Sequence, residues 1–547
     1  MLSIFLAAIV VFYLAYRFYG RFLDKTFDVD DKNRTPSHTE YDGVDRVPTK
    51  TPVLLGHHFS SIAGAGPVVG PIIAGIAFGW LPALLWIVLG SIFVGGVHDY
   101  SSLMASIRHK AKSVAEIARQ HMSPLSYKLF LVFIWLALVY ILIVFVDLTA
   151  TGFSGSPEVA TSSIFFIILA LVFGVTVNRM GISFKIASFI FVPLVFIGVA
   201  VGHQLPITEE WMPFLVNDNL TRTWTLILLF YCLIASVSPV WALLQPRDYL
   251  SSFLLYGSLL GAFLGILIGG FELTYPAFTV WSDIDKGTLF PILFITIACG
   301  ACSGFHSIVA SGTTSKQLDR ESDARRIGYG AMLIEGLVAV IALFTVVMMA
   351  SNASVLKEDP LAIYGNGIGN FMATFGLPYE WGRSFGILAV STFLLTTLDT
   401  STRLGRYVFE EFFNMTGGKT RFISTIATLI LPIVFSFITL KDIKGNPLPA
   451  WKAIWPIFGA TNQLLAGLAL LVVFVYLKKK SKKSLFVVLP MLFMLIMTIW
   501  ALIQLIYQQG LTTLGIISAF LLILAIILIA EAVRSIFFSK DKIIKTA

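Results

Sequence analysis

Along most of this chain the apolar residues do not alternate with polar ones. They run on for about eighteen positions or more before a charge or turn residue intervenes, the length that crosses roughly 30 Å of hydrocarbon as a helix. The pattern predicts fifteen spans, near 2–18, 53–78, 80–100, 127–149, 161–178, 184–202, 223–243, 252–272, 288–311, 327–350, 383–402, 421–440, 453–476, 484–508 and 511–534. The expected fold is an all-α polytopic membrane protein, a single transmembrane domain over 1–547. The first run has no basic segment ahead of it and no small-residue cleavage motif behind it, so it reads as a retained span. Residues 20–52, with "DKTFDVDDKNR", read as a cytoplasmic loop packed under the bundle.

The polar positions add orientation. With the N-terminus outside and the spans alternating, 32 of the 39 Lys and Arg fall on the inner side. Short basic loops resist translocation, so the chain is expected in a bacterial cytoplasmic (inner) membrane with its C-terminus inside. The net charge of +8 is then a topology signal, with the lipid bilayer as partner and no nucleic acid. "KKKSKK" at 478–483 suits anionic headgroups. Composition agrees: 57% of residues are hydrophobic and 13% charged, against about 25% charged in soluble domains. The sequence carries no G-x-x-x-x-G-K-[ST] phosphate loop, which argues against an ATP-driven motor in this chain.

One stretch interrupts the apolar pattern. "GHHFSSIAGAGPVVGP" at 56–71 puts two histidines, several glycines and two prolines where a span should run. "CSGFHSIVASGTT" at 302–314 is similar when residue 59 is laid on 305: Phe59 meets Phe305, Ser61 meets Ser307, Ile62 meets Ile308 and Gly66 meets Gly312. Gly64 then falls on Ala310. The two stretches cross in opposite directions, as an inverted repeat requires, with halves beginning near 53 and near 288. Helix breaks are expected around Gly64–Gly66 and Ala310–Gly312, where freed backbone groups bind substrate or ions. The plainer alternative is two Gly-rich faces that let helices approach closely.

With "SPVWALLQPRDYLSSFLL" (238–255), "TTLDTSTRLGR" (396–406) and "IWPIFGATNQLLAG" (454–467), the first stretch resembles the carbon starvation protein A (CstA) family over nearly the whole chain. The resemblance implies an inner-membrane transporter linked to peptide uptake when carbon is scarce, or, as in some relatives, to proton-coupled pyruvate uptake. It also implies a LeuT-like inverted repeat with broken helices, through the amino acid/polyamine/organocation grouping of that family.

Ionisable groups inside spans are costly and mark pathways or pairs. His57 and His58 point about 100° apart on a helix, so one can face a path while the other packs inward. His57, His58, His98 and Asp99 offer imidazole and carboxylate donors for a zinc ion, or the histidines serve as proton relays together with His306. Glu335, well inside "AMLIEGLVAV", is the most deeply placed carboxylate and a carrier for a coupling proton. Asp399 and Arg403 stand four residues apart, the spacing of a helical ion pair at the inner face. Arg247 and Asp248, behind a proline at an inner helix end, read as a gate or as an anchor for a substrate carboxylate. Thr461, Asn462 and Gln463 fall mid-span and either lock neighbouring helices or line a polar cavity. "CGAC" at 299–302 has metal-pair spacing, but small buried thiols packing as hydrophobes is the simpler reading.

The expected function is secondary active import of small peptides coupled to protons; the alternative is symport of pyruvate or another small carboxylate with a proton. No catalytic residues and no required cofactor are expected. Sodium coupling and the oligomeric state stay open.

Overall fold

The computed structural model describes residues 1–537 apart from 44–45, 213, 240–241, 284–286, 416–418, 439 and 442–446. Among the described residues, thirteen helices are long and apolar enough to cross a bilayer, and a bent pair, Thr51–Ile62 with Gly66–Phe78, supplies a fourteenth crossing. The remaining predicted segment, 288–311, is divided. Leu289–Thr296 is helical, residues 297–303 are not, and the helix resumes at Gly304–Val309, a π-turn over Ala310–Thr314 and Ser315–Gln317. The chain is thus a many-pass membrane protein built of helices, with only two-residue strand pairs at Ser282–Asp283/Gly287–Thr288 and Leu440–Lys441/Pro447–Leu448.

Contacts between distant segments respect alternating crossings. At the end rich in Lys and Arg, Lys482 meets Asp28, Arg108 meets Glu321, and Lys479 and Ser535 both donate to the His121 carbonyl. At the other end Tyr275 donates to Ile76 O, Arg222 to Ser436 O, and the Trp451 N–H to Asp147. The first helix runs to Thr26, past the predicted span end, so the loop begins at Phe27. That loop straps the second interrupted helix: Ser37 Oγ donates to Leu318 O (2.8 Å), His38 lies 2.8 Å from Asp319, and Asn33 donates to the buried Glu321.

Burial sorts the bundle. The apolar windows of Tyr379–Phe413 and Ala450–Lys479 are 100% and 94% buried, so these helices form the centre. Leu2–Thr26, Phe184–Gln204 and Thr420–Phe437 turn mostly apolar side chains outward, as lipid-facing helices do. Pro360–Ala373, too short to be read as a span, is capped by Asp359, whose carboxylate accepts from the N–H groups of Leu361 and Ala362. Gly79 makes the turn between the first interrupted helix and Trp80–Arg108 with φ of +94°, and a Cβ there would meet the Ala277 carbonyl oxygen at 2.5 Å.

Candidate functional site

The two interrupted helices lie side by side and antiparallel. In the first, the chain leaves the helix at Ala63–Ala65 and restarts at Gly66 with Pro67 in its first turn, where a missing N–H costs nothing, at a bend of 46°. Gly66 touches Cys299 so closely that any Cβ would overlap its side chain, and a Cβ on Gly70 would meet the Thr296 carbonyl oxygen at 2.5 Å. The breaks therefore sit at one level, 63–65 against 297–303. This corrects the expected position of the second break: Ala310–Gly312 lies in a π-turn, and a Cβ on Gly312 would meet the Leu404 side chain at an ordinary 3.7 Å. The match of 59 to 305 joins a helix before one break to a helix after the other, so it is not the register of a repeat.

Asn462 and Gln463 stitch the second break. Asn462 Oδ1 accepts from the Phe305 N–H (3.0 Å) and Ser303 Oγ (3.2 Å), its Nδ2 donates to Cys299 Sγ (3.3 Å), and Gln463 Nε2 donates to the Phe294 carbonyl. These are groups that helix ends leave unsatisfied. Thr461 Oγ1 bonds back to Ile457 O in its own helix at 2.7 Å. Of the two roles expected for this trio, the helix-locking one matches the geometry.

Beside the breaks runs a fully buried chain of acid and imidazole groups. His98 Nδ1 lies 2.7 Å from Asp99 Oδ1, and Asp99 Oδ2 lies 2.8 Å from His306 Nδ1. His306 Nε2 faces Glu335 Oε2 at 3.4 Å, within ion-pair reach but without hydrogen-bond alignment, so both Glu335 oxygens lack a hydrogen bond among the described residues. His58 packs alongside, Nδ1 2.8 Å from Thr314 Oγ1. All five side chains of His58, His98, Asp99, His306 and Glu335 are fully buried. Ser61 and Ser307 turn their hydroxyls to carbonyls of their own helices, His57 O and Gly304 O.

A second buried cluster gathers on the far side of the first interrupted helix. His57 Nδ1 is 3.4 Å from Asp248 Oδ2, and Asp248 Oδ1 is 3.6 Å from Arg247 Nη2. Arg247 Nη1 donates to Asp399 and to Tyr231 Oη (2.5 Å), and Tyr231 Oη donates to Asp399 Oδ2 at 2.9 Å.

Three expectations change here. Asp399 pairs with Arg247, whereas Arg403 donates to the Ala235 and Ser238 carbonyls at 2.8 Å each, closing the end of Leu220–Val237. A guanidinium four residues away reached those orphan carbonyls instead. Arg247 and Asp248 are interior, 0% and 1% exposed, rather than at a surface helix end. The zinc quartet is not assembled: His57 faces Asp248, away from His98 and Asp99, and among the described residues no group of three His, Cys, Asp or Glu is placed to hold a metal. The residues present do not fit a zinc site. Tyr231 and Thr314 join these clusters without having been singled out; a tyrosine hydroxyl in the middle of an apolar span was the available signal.

Two antiparallel helices broken at one depth, with buried ionisable groups against the breaks, are the architecture of a membrane transport protein. Comparison with known proteins gives the family. The model of the carbon starvation protein CstA family matches residues 1–363 and 350–501, and the chain belongs to that family. It is 32% identical to the peptide transporter CstA of Escherichia coli, over 91% of this chain and 80% of that protein. It is 31% identical to the pyruvate/proton symporter BtsT of the same organism, over 92% and 81%. Among solved structures, MhsT in complex with L-phenylalanine aligns with 90% of this chain and 99% of its own, at 14% identity and a TM-score of 0.49.

Proposed function

We propose that this protein imports small peptides across the bacterial cytoplasmic membrane in symport with protons, N-terminus outside and C-terminus inside. The observation that carries the coupling is Glu335: fully buried, without a hydrogen bond on either oxygen, and 3.4 Å from a histidine already bound to Asp99. A carboxylate so placed is neutralised by one proton and re-formed on its release, which lets the broken helices rearrange around it. The orientation rests on the basic residues gathered at one end of the bundle. The two halves, beginning near 53 and near 288, would rock against each other as inverted repeats, and the burial of every group at the breaks fits a closed point in such a cycle. The peptide is favoured by relatives named as peptide transporters, and a pyruvate–proton symport by the similar identity to BtsT.

Purified protein in proteoliposomes with an imposed proton gradient tests this with labelled dipeptide and labelled pyruvate. Gradient-driven dipeptide accumulation supports the first reading; pyruvate accumulation alone replaces it with the second. Uptake of either that ignores the proton gradient removes the coupling.

A further inference from the structure

The acid–imidazole chain accounts for a proton but leaves the second buried cluster without work. Its centre is Arg247, completely buried and bonded through Nη1 alone, to Asp399 and Tyr231. Nε and Nη2, which form the side-on fork of a guanidinium, carry no hydrogen bond among the described residues. A buried donor left without a partner is costly, the more so when charged, so an idle fork in a fold this well packed needs a reason. Asp248 does not fill it: its Oδ1 stands 3.6 Å from Nη2, and neither Asp248 oxygen makes a hydrogen bond among the described residues.

Arg247 lies beside Asp248 on Leu244–Ile268 and faces Asp399 on Tyr379–Phe413, while Arg403 and Arg406 turn to the carbonyls of Ala235, Ser238 and Ser236. Arg247 also sits in the first turn of Leu244–Ile268, the end of a helix that favours an anion. His57, 20% exposed, is the member of the cluster that reaches toward access, and it belongs to the first interrupted helix. A movement of that helix would draw His57 away from Asp248, which stays beside Arg247 on its own helix, and open the approach to the fork.

We infer that the Nε/Nη2 edge of Arg247 is the anchor for the carboxylate of the transported molecule, held bidentately, with Asp399 and Tyr231 fixing the guanidinium from its other edge. The inference rests on the transport reading above. It names what both candidate substrates share, since a peptide C-terminus and pyruvate each present one carboxylate. Asp399 keeps the arginine's orientation, and His57 parts from Asp248 as substrate enters the fork.

The test compares each acid with its carboxamide, so that the wild-type protein serves and folding is not in question. Proteoliposomes are offered glycylglycine or glycylglycinamide, and pyruvate or pyruvamide. Whichever acid is carried, its amide should be carried at least ~10-fold less well, because a charge-assisted bidentate pair is lost. Arg247→Lys, which keeps the charge but not the fork, should raise KM with a smaller change in kcat. Equal transport of acid and amide, or an unchanged KM in Arg247→Lys, overturns the anchor and leaves the transport function standing. If wild-type protein carries neither acid, the transport reading fails instead, and acetate binding decides the anchor. A rise in Tm with acetate that Arg247→Lys lacks supports it, and no rise refutes it.

Discussion

His306 Nδ1 lies 2.8 Å from Asp99 Oδ2, across 207 residues of sequence, and this contact joins the bonds from Trp86, Ser91 and Ser106 that tie the second interrupted helix to the span Trp80–Arg108. Asp99 also takes His98 on its other oxygen, so a single carboxylate serves two imidazoles in a fully buried place. Asp99→Ala would strip both of their partner at once. The expected loss is about 3–5 kcal/mol, the cost of breaking a buried charged pair, read as a lower Tm of the detergent-purified protein. A Tm within a degree of wild type would mean that the contact carries no structural weight.

Glu335→Gln keeps the shape of the side chain and removes its ability to lose a proton. Proton-driven accumulation of substrate should fall at least ~10-fold, the size of contribution a positioned proton carrier makes. Exchange of labelled for unlabelled substrate, which moves no net proton, should persist. If accumulation survives, the coupling proton is carried elsewhere.

Gly66→Ala places a methyl group into the Cys299 side chain. Overpacking of this kind costs about 1–3 kcal/mol, and here it also pushes the two breaks apart. Transport and Tm should both drop, and Cys299→Gly in the same chain should restore much of each. A silent Gly66→Ala would show that the breaks are less closely apposed than described.

Arg247 and Arg403 should behave differently on neutralisation. Arg247→Gln leaves Asp399 and Asp248 buried without their cation, a loss of about 3–5 kcal/mol. Arg403→Gln removes only charge-assisted bonds to two carbonyls, about 1.5–3 kcal/mol. Equal falls in Tm would return Arg403 to the role of Asp399's partner.

At the basic end His109 Nε2 and His121 Nε2 stand 2.7 Å apart, in a hydrogen bond that needs at least one neutral ring, and both pack on Tyr476. Burial holds His109 below the usual 6.5 and His121 down at about 4, helped for His121 by His109, Lys479 and Lys480. Because the folded state resists protonation, the unfolded chain binds more protons between pH 6.5 and about 4, and stability falls as pH drops through that window. Tm measured from pH 7 downwards should decline until about pH 4 and flatten only below it, and His121→Gln should shallow the decline. An identical profile in that variant would exclude the pair.

How much of this could be read from the residues differs by kind of feature. The spans were legible because unbroken apolar runs are what a bilayer demands, and the first break was legible because Gly64, Gly66 and Pro67 cannot continue a regular helix there. The opposite facing of His57 and His58 followed from helix geometry and holds, one meeting Asp248 and the other Thr314. Partnership was not legible. Asp399 had an arginine four residues away and took one 152 residues away instead, a choice made by helix packing that no local spacing reports. The second break was misplaced because Cys299–Ser303 holds one Gly and no Pro, and its ends are satisfied by Asn462 and Gln463 from another helix. Pro360–Ala373 escaped because it is short, although Asp359–Pro360 is a helix-start signature.

The apposition of the two breaks also sets an order of events during synthesis. His58 finds Thr314 only 256 residues later, and Gly66 waits until Cys299 is made, so the ribosome delivers the first interrupted helix long before its mate exists. Until then a broken segment stands in the bilayer without the second break to cover it, a situation lipid does not tolerate for exposed backbone. Nascent chains stalled before Leu289 should be the species most exposed to membrane quality-control proteases, and those extended past Gln317 the first to escape them.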